Sequence, residues 1–211
     1  MDDFLDKCVV KFDVFLRNIC PSWPENDVSN SPADGLQESV LTLSEKRTSA
    51  GMMRVNLAGE VAAQGLYRGQ LLLARDNELS AHLKEAAHEE MQHYAWCLSR
   101  LKALDAEAII FNPFWYFGAF SMGLMAAAIS DSISLGFVIA TEEQVAKHLA
   151  SHLRDLPIDD LQSRAIVAKM YADELLHADE AALKGGLRLP FIIQELMHLT
   201  AQAMIKLSRL I

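Results

Sequence analysis

Six residues in a fixed order constrain the fold of this chain more tightly than its composition does. Glu60 stands alone, Glu90 and His93 form a Glu-x-x-His, Glu142 stands alone, and Glu174 and His177 form a second Glu-x-x-His. On a helix, positions i and i+3 share a face, so each Glu-x-x-His aims a carboxylate and an imidazole the same way. Glu60 and Glu90 are 90 − 60 = 30 residues apart, and Glu142 and Glu174 are 174 − 142 = 32 apart. One helix-pair unit is therefore used twice, which predicts an all-α chain with four helices around a shared centre.

Four carboxylates and two imidazoles turned to one centre are the ligand set of di-iron and di-manganese carboxylate bundles. Oxygen and nitrogen donors without thiolate suit iron or manganese better than a structural zinc site. Glu-x-x-His also occurs at Glu85/His88 and Glu195/His198, and the neighbours sort the copies. Glu90 and His93 share a face with Leu79, Leu83, Ala86, Cys97 and Leu101, which marks a core. Glu174 and His177 share theirs with Val167, Met170, Ala178 and Ala181. Glu85 and His88 line up with Lys84, Gln92 and Ser99, and Glu195 and His198 run on to Gln202 and Arg209, so both read as solvated or mixed faces. By the same test Glu142, among Leu135, Val138, Ile139, Ala146 and Leu149, is favoured over Glu143, which lines up with Gly136, Ala140 and Lys147. A carboxylate inside so apolar a stripe is costly unless it is paired or metal-bound.

The 211 residues suffice for one domain with a sizeable core, and 51% apolar residues argue against disorder over most of the length. A net charge of −9 without a basic run excludes nucleic acid as the expected partner. Cys8, Cys20 and Cys97 cannot all pair, so a reducing compartment is expected, with Cys97 as a small core residue. Asp2 and Asp3 stand where a secretion signal would be positive.

Residues 1–20 are expected to form an amphipathic helix, 21–44 a linker rich in Pro, Ser, Asn and Asp, and 45–211 the bundle domain with an added C-terminal helix. Helix boundaries fall at about Glu45 to Arg75 and Glu78 to Leu104. Asn112-Pro113 opens a long apolar helical segment reaching about Leu156, another helix runs from Pro157–Asp160 to Gly185-Gly186, and the last follows Pro190. Ala108 to Ser130 carries no charge over 23 residues and is long enough to cross a bilayer. A single crossing would part Glu90 and His93 from Glu142, so the segment reads instead as bundle core. Its aromatics Phe111, Phe114, Trp115, Tyr116, Phe117 and Phe120 then continue outward as a surface for substrate and one membrane leaflet, the alternative being a wholly buried crossover helix.

Arg54-Val55-Asn56-Leu57-Ala58-Gly59-Glu60, Tyr67-Arg68-Gly69-Gln70, Glu90-Met91-Gln92-His93, Glu142 to His148, and Asp173-Glu174-Leu175-Leu176-His177 together resemble the Coq7 family of demethoxyubiquinone hydroxylases. The match covers about residues 48–211, and the N-terminal extension resembles that of the bacterial branch. The resemblance implies a ferritin-like four-helix bundle that is an O2-dependent di-iron monooxygenase, bound peripherally to the cytoplasmic side of the inner membrane. It implies hydroxylation of the ring of a polyprenyl demethoxyubiquinol, electrons that trace back to NADH, and partner proteins of ubiquinone biosynthesis. It also implies two iron ions per chain on Glu60, Glu90, His93, Glu142, Glu174 and His177, with His148 near the quinone or the proton path. Leu149 departs from relatives that carry an aromatic there. Tyr67, two turns after Glu60 on its face, is a candidate for hydrogen bonding or redox work, and Arg54 for pairing with an acid of the site. The rival within the same fold is a ferritin-like ferroxidase or peroxide scavenger. The absent Cys-x-x-Cys and the uncharged segment weigh against it.

Overall fold

Thr42 sets the start of the first helix. Its hydroxyl accepts from Glu45 N at 3.3 Å while the Glu45 carboxylate accepts from Thr42 N at 2.8 Å, a reciprocal cap that satisfies two free backbone donors. The computed structural model describes residues 30–108 and 112–209. The expected N-terminal helix, residues 21–29 of the expected linker, and Phe111 lie outside the described residues. Among the described residues are six helices and no strand: α1 Leu43–Leu71, α2 Asn77–Ala103, α3 Asn112–Ile129, α4 Asp131–Asp155, α5 Leu161–Leu183 and α6 Phe191–Arg209.

The fold is an all-α, ferritin-like bundle. Helices α1 and α2 pack as one pair and α4 and α5 as the other, with α3 and α6 laid against α1. Two hydrophobic clusters fill the bundle. One gathers Met53 and Leu57 from α1, Trp96, Cys97 and Leu101 from α2, Leu149 from α4, and Ile166 and Met170 from α5. The other gathers Ala63 and Tyr67, Leu79 and Leu83, Leu135 and Val138, and Ala181 from the same four helices. The order of the clusters along each helix shows that α1 and α5 run one way and α2 and α4 the other. Helix α3 is the crossover that makes α4 run parallel to α2, the one-crossover connectivity of ferritin-like folds. On every bundle helix the Glu and His singled out above fall between the two clusters.

One expected boundary is corrected. The apolar segment is not one helix to Leu156, because Ser130 breaks it. Its backbone is extended (φ −166, ψ 159) and its hydroxyl accepts from Ile133 N at 3.1 Å, so it caps α4. A second correction concerns the aromatic surface. Trp115 and Tyr116 are buried, Trp115 against Ala58 and Tyr116 against Val61 of α1, and Phe120 is half-buried. Phe114 and Phe117 alone among the described aromatics of this group face outward.

The reason lies in α1. Gly65 and Gly69 stand one turn apart, and a Cβ at either would collide with the α3 backbone, at the carbonyls of Tyr116 and Phe120. A Cβ on Gly123 of α3 would likewise strike the Leu66 carbonyl. These small residues let the two backbones meet, which turns Trp115 and Tyr116 inward. At the far end of α5, Gly185 (φ 92) takes the left-handed conformation that ends the helix, and Gly186 N reaches the Ala181 carbonyl at 3.0 Å.

Candidate metal centre

Each bundle helix delivers its share of the centre from the middle of its buried face. Glu60 comes from α1, Glu90 and His93 from α2, Glu142 from α4, and Glu174 and His177 from α5, and none is more than 3% exposed. They fall into two groups whose ligand atoms lie within 4.8 Å of one another: Glu60, Glu90, His93 and Glu174, and Glu90, Glu142, Glu174 and His177. Glu90 and Glu174 belong to both, the arrangement expected of carboxylates shared between two ions.

The imidazoles are oriented for ligation. His93 turns Nδ1 toward the carboxylates, 3.1 Å from Glu90 and 3.7 Å from both Glu60 and Glu174. Its Nε2 lies 3.0 Å from Asp173 of α5. His177 turns Nδ1 to within 3.2 Å of Glu90, and its Nε2 lies 2.6 Å from Glu89 of α2. The two supports are crossed: the acid preceding each helix's Glu-x-x-His holds the histidine of the other helix. A carboxylate behind an imidazole fixes ring and tautomer and leaves the other nitrogen as donor.

Sequence reasoning missed Glu89 and Asp173. The acid doublets Glu89-Glu90 and Asp173-Glu174 were the available signal. Tyr67, fully buried, donates to Glu142 Oε1, and Lys169 pairs with Asp173. Arg54 does not meet an acid of the site. Its Nε donates to the Glu107 carbonyl at 2.9 Å, because it lies on the α1 face turned to the α2–α3 connection. His148 is half-buried outside both groups, its ring 4.0 Å from that of His152. Glu143 is half-buried and reaches Arg188 at 3.4 Å, while Glu85 and His88 are exposed.

The electrostatics suit a bound cation, which would take the place of the protons that burial otherwise favours on these carboxylates. Burial, then the Glu90 charge, pushes Glu60 and Glu174 well above the usual carboxylate range, and burial raises Glu142. Burial opposes the Glu90 charge too, but His93 and hydrogen bonds from its neighbours hold it well below that range. Burial is likewise overcome at His177, which the Glu90 carboxylate 3.2 Å from its Nδ1 pushes up to about 10. Glu90 Oε1, Glu142 Oε2, both Glu174 oxygens and His177 Nδ1 have no hydrogen-bond partner. Buried polar atoms are nearly always satisfied, so this many orphans at one point fit metal-ligand bonds. The donor set is hard oxygen with imidazole nitrogen, which suits iron.

Comparison with known proteins agrees with this geometry. The family model described as Ubiquinone biosynthesis protein COQ7 matches residues 47–208. A protein of Francisella tularensis subsp. tularensis named 3-demethoxyubiquinol 3-hydroxylase is 44% identical over 205 residues, covering 97% of this chain and 96% of the relative. A protein of Francisella philomiragia with the same name matches at the same 44% identity and the same coverage.

Proposed function

Because the chain belongs to the ubiquinone biosynthesis COQ7 family, we propose that it is a 3-demethoxyubiquinol 3-hydroxylase, inserting one oxygen atom of O2 into the ring of a polyprenyl quinol. The observation that carries this reading is the pair of four-ligand groups sharing Glu90 and Glu174, placed in a chain whose hydroxylase relatives match it almost end to end.

Glu60, Glu90, His93 and Glu174 would hold one iron ion, and Glu90, Glu142, Glu174 and His177 the other. A pair of ferrous ions bound there would supply the two electrons that, with O2 and two protons, turn a ring C–H into C–OH and release one water. The chain does the rest. Asp173 and Glu89 fix the imidazoles, Tyr67 holds one oxygen of Glu142, and the two hydrophobic clusters on either side exclude bulk water. A dry, fixed environment is what makes such electrostatics effective. An iron-oxidising or peroxide-removing role is not favoured, since the relatives are named as hydroxylases.

The substrate's tail is apolar, and the described helices offer apolar surface to meet it in a membrane. Phe114, Phe117, Met125 and Ile129 of α3 and Ile192, Leu196 and Leu199 of α6 are exposed. Both helices lie on one flank of the bundle, where Trp115 and Met204 pack on Ala58. Among the described residues no helix is long and apolar enough to cross a membrane. The proposed attachment is peripheral, through insertion of this apolar flank rather than through a net charge of −9, and the family resemblance implies the cytoplasmic side of the inner membrane. It survives high salt and yields to detergent, because apolar burial is not screened. Release from membranes by salt alone counts against it.

The reaction is tested in a strain deleted for the gene. It accumulates a ubiquinone precursor lacking one ring oxygen and its methyl group, with the prenyl tail intact. Wild type restores ubiquinone, takes the new oxygen from labelled O2, and Glu142→Ala restores nothing. Glu143, about 100° around the helix, cannot take the place of Glu142. Normal ubiquinone in the deletion strain, with no second hydroxylase present, sinks the assignment.

A further inference from the structure

A metal centre this deeply buried needs a way in, and α2 and α5 leave one. They pack less closely than the helices within either pair. Near the start of α2 and the end of α5 they enclose an open cleft of about 640 Å³ lined by Glu78, His82, Glu85, Glu180 and Lys184. On α2, Glu78, His82, Glu85 and Glu89 stand at i, i+4, i+7 and i+11, one stripe of the helix. At the inner end of that stripe Glu89, its side chain 43% exposed, touches the Nε2 of His177 at 2.6 Å. The stripe therefore joins solvent to a ligand of the centre.

His82 is the unusual member. It lines the cleft yet is 6% exposed, its Nδ1 lies 3.5 Å from Glu180 Oε2, and its Nε2 has no hydrogen-bond partner. A buried imidazole nitrogen left without a partner is costly. Burial, then the nearby Lys184, disfavours the imidazolium, which leaves the neutral, ligating form. Around it three carboxylates, Glu78, Glu85 and Glu180, face the single ammonium of Lys184, an excess of negative charge in a concave site.

We propose that this cleft admits divalent metal ions to the buried centre, with His82 and Glu180 as a transient landing pair and Glu89 as the handover to His177. The inference rests on the reading of the six-residue centre as the metal site. His82, Glu180 and the flanking glutamates do not close into a third tight group like the two at the centre. An ion held there is thus held loosely, as a route requires and a storage site does not.

The test mixes the metal-free full chain with ferrous ion under anaerobic conditions, then quenches with a chelator at successive times and measures iron retained. Charge-lined clefts raise the capture rate of counter-ions by about 10–10³-fold. His82→Ala combined with Glu180→Gln should slow loading at least ~10-fold with the final iron content unchanged. Wild-type loading should also slow as salt is added, and the variant's much less. Glu78→Gln with Glu180→Gln leaves the packed His82 in place and should slow loading in the same direction, which guards against a misfolded His82 variant. Equal loading rates in wild type and both variants overturn the route. Loss of final iron from a folded variant overturns it as well, since His82 would then be part of the holding site. Wild type that takes up no iron at all fails the reading of the centre itself, a result distinct from either.

Discussion

Two buried charged clusters share this bundle, and the chain compensates one of them far more fully than the other. At the end of the bundle away from the cleft, Arg100, 3% exposed, donates to Ser163 at 2.9 Å, Asp160 at 2.9 Å, Gln162 at 2.6 Å and both oxygens of Glu38 at 2.8 and 3.0 Å. Asp160 also caps α5 through Ser163 N at 3.0 Å. The one cation there has its anions and neutral acceptors within reach, and of its partners' oxygens Asp160 Oδ2 is left without a hydrogen bond. At the centre, four carboxylates face two imidazoles, and five side-chain atoms of the site are left without hydrogen-bond partners. The first cluster is a knot that ties the chain before α1 to α2 and α5. The second is a socket, its unpartnered atoms open to the cation that the proposed function assigns to it. Burial alone does not separate structure from function here; incomplete compensation does.

The largest way to break the comparison is at the knot. Arg100→Ala leaves Asp160 buried without its cation, and removing one partner of a buried pair costs about 3–5 kcal/mol. Denaturant unfolding of the metal-free protein should show that loss. If it shows less than about 1 kcal/mol, the knot is not the structural element described here.

Metal should act on the socket alone. Ferrous ion at about 100 times its dissociation constant should stabilise the chain by about 2.7 kcal/mol per site. Arg100→Ala should gain the same increment as wild type, since sites this far apart add. A smaller gain in Arg100→Ala would show the two clusters to be coupled.

A mid-sized effect is expected outside both clusters. Gly69→Ala puts a methyl into the Phe120 carbonyl, so α3 must move off α1. Overpacking of this kind costs about 1–3 kcal/mol, readable as a lowered Tm. Iron content should stay at the wild-type level, because Gly69 contributes nothing to the centre.

The two clusters should also weaken at opposite ends of the pH scale in metal-free protein. His177 is pushed from 6.5 up to about 10, so its contribution is full below 6.5 and fades as pH rises through about 10. Asp160, despite burial, is held below its ordinary value by Ser163, Ser49 and Arg100. Its contribution is present above that ordinary value and fades as pH falls through the lowered one. Tm against pH for His177→Ala and Asp160→Asn should lose the alkaline and acid limbs respectively. The smallest effect belongs to Glu85→Ala and His88→Ala, both exposed, which should leave stability and final iron content unchanged.

The socket was legible in the sequence and the knot was not. Glu90/His93 and Glu174/His177 repeat at i, i+3 on apolar stripes, a pattern that helical geometry translates directly into a shared direction. Arg100, Glu38, Asp160 and Ser163 come from three separate segments with no period to connect them. The direction of the α3 aromatics was hidden for another reason. The run from Ala108 to Ser130 has no charged residue to mark the outside of the helix, so burial of Trp115 and Tyr116 is decided by the partner. The spacing of Gly65 and Gly69 on α1 was the signal that carried it. The break at Ser130 had a short signal, Ser130-Asp131-Ser132, a capping residue followed by an acid for the first turn, set between two apolar stretches.

The socket itself is tested most directly by counting iron in the full-length protein, loaded anaerobically and freed of loosely bound metal. Two irons per chain are predicted for wild type and for Glu85→Ala, and essentially none for Glu90→Ala, which removes a carboxylate common to both ligand groups. A wild-type chain that holds no iron, or a Glu90→Ala chain that keeps both, would contradict the account.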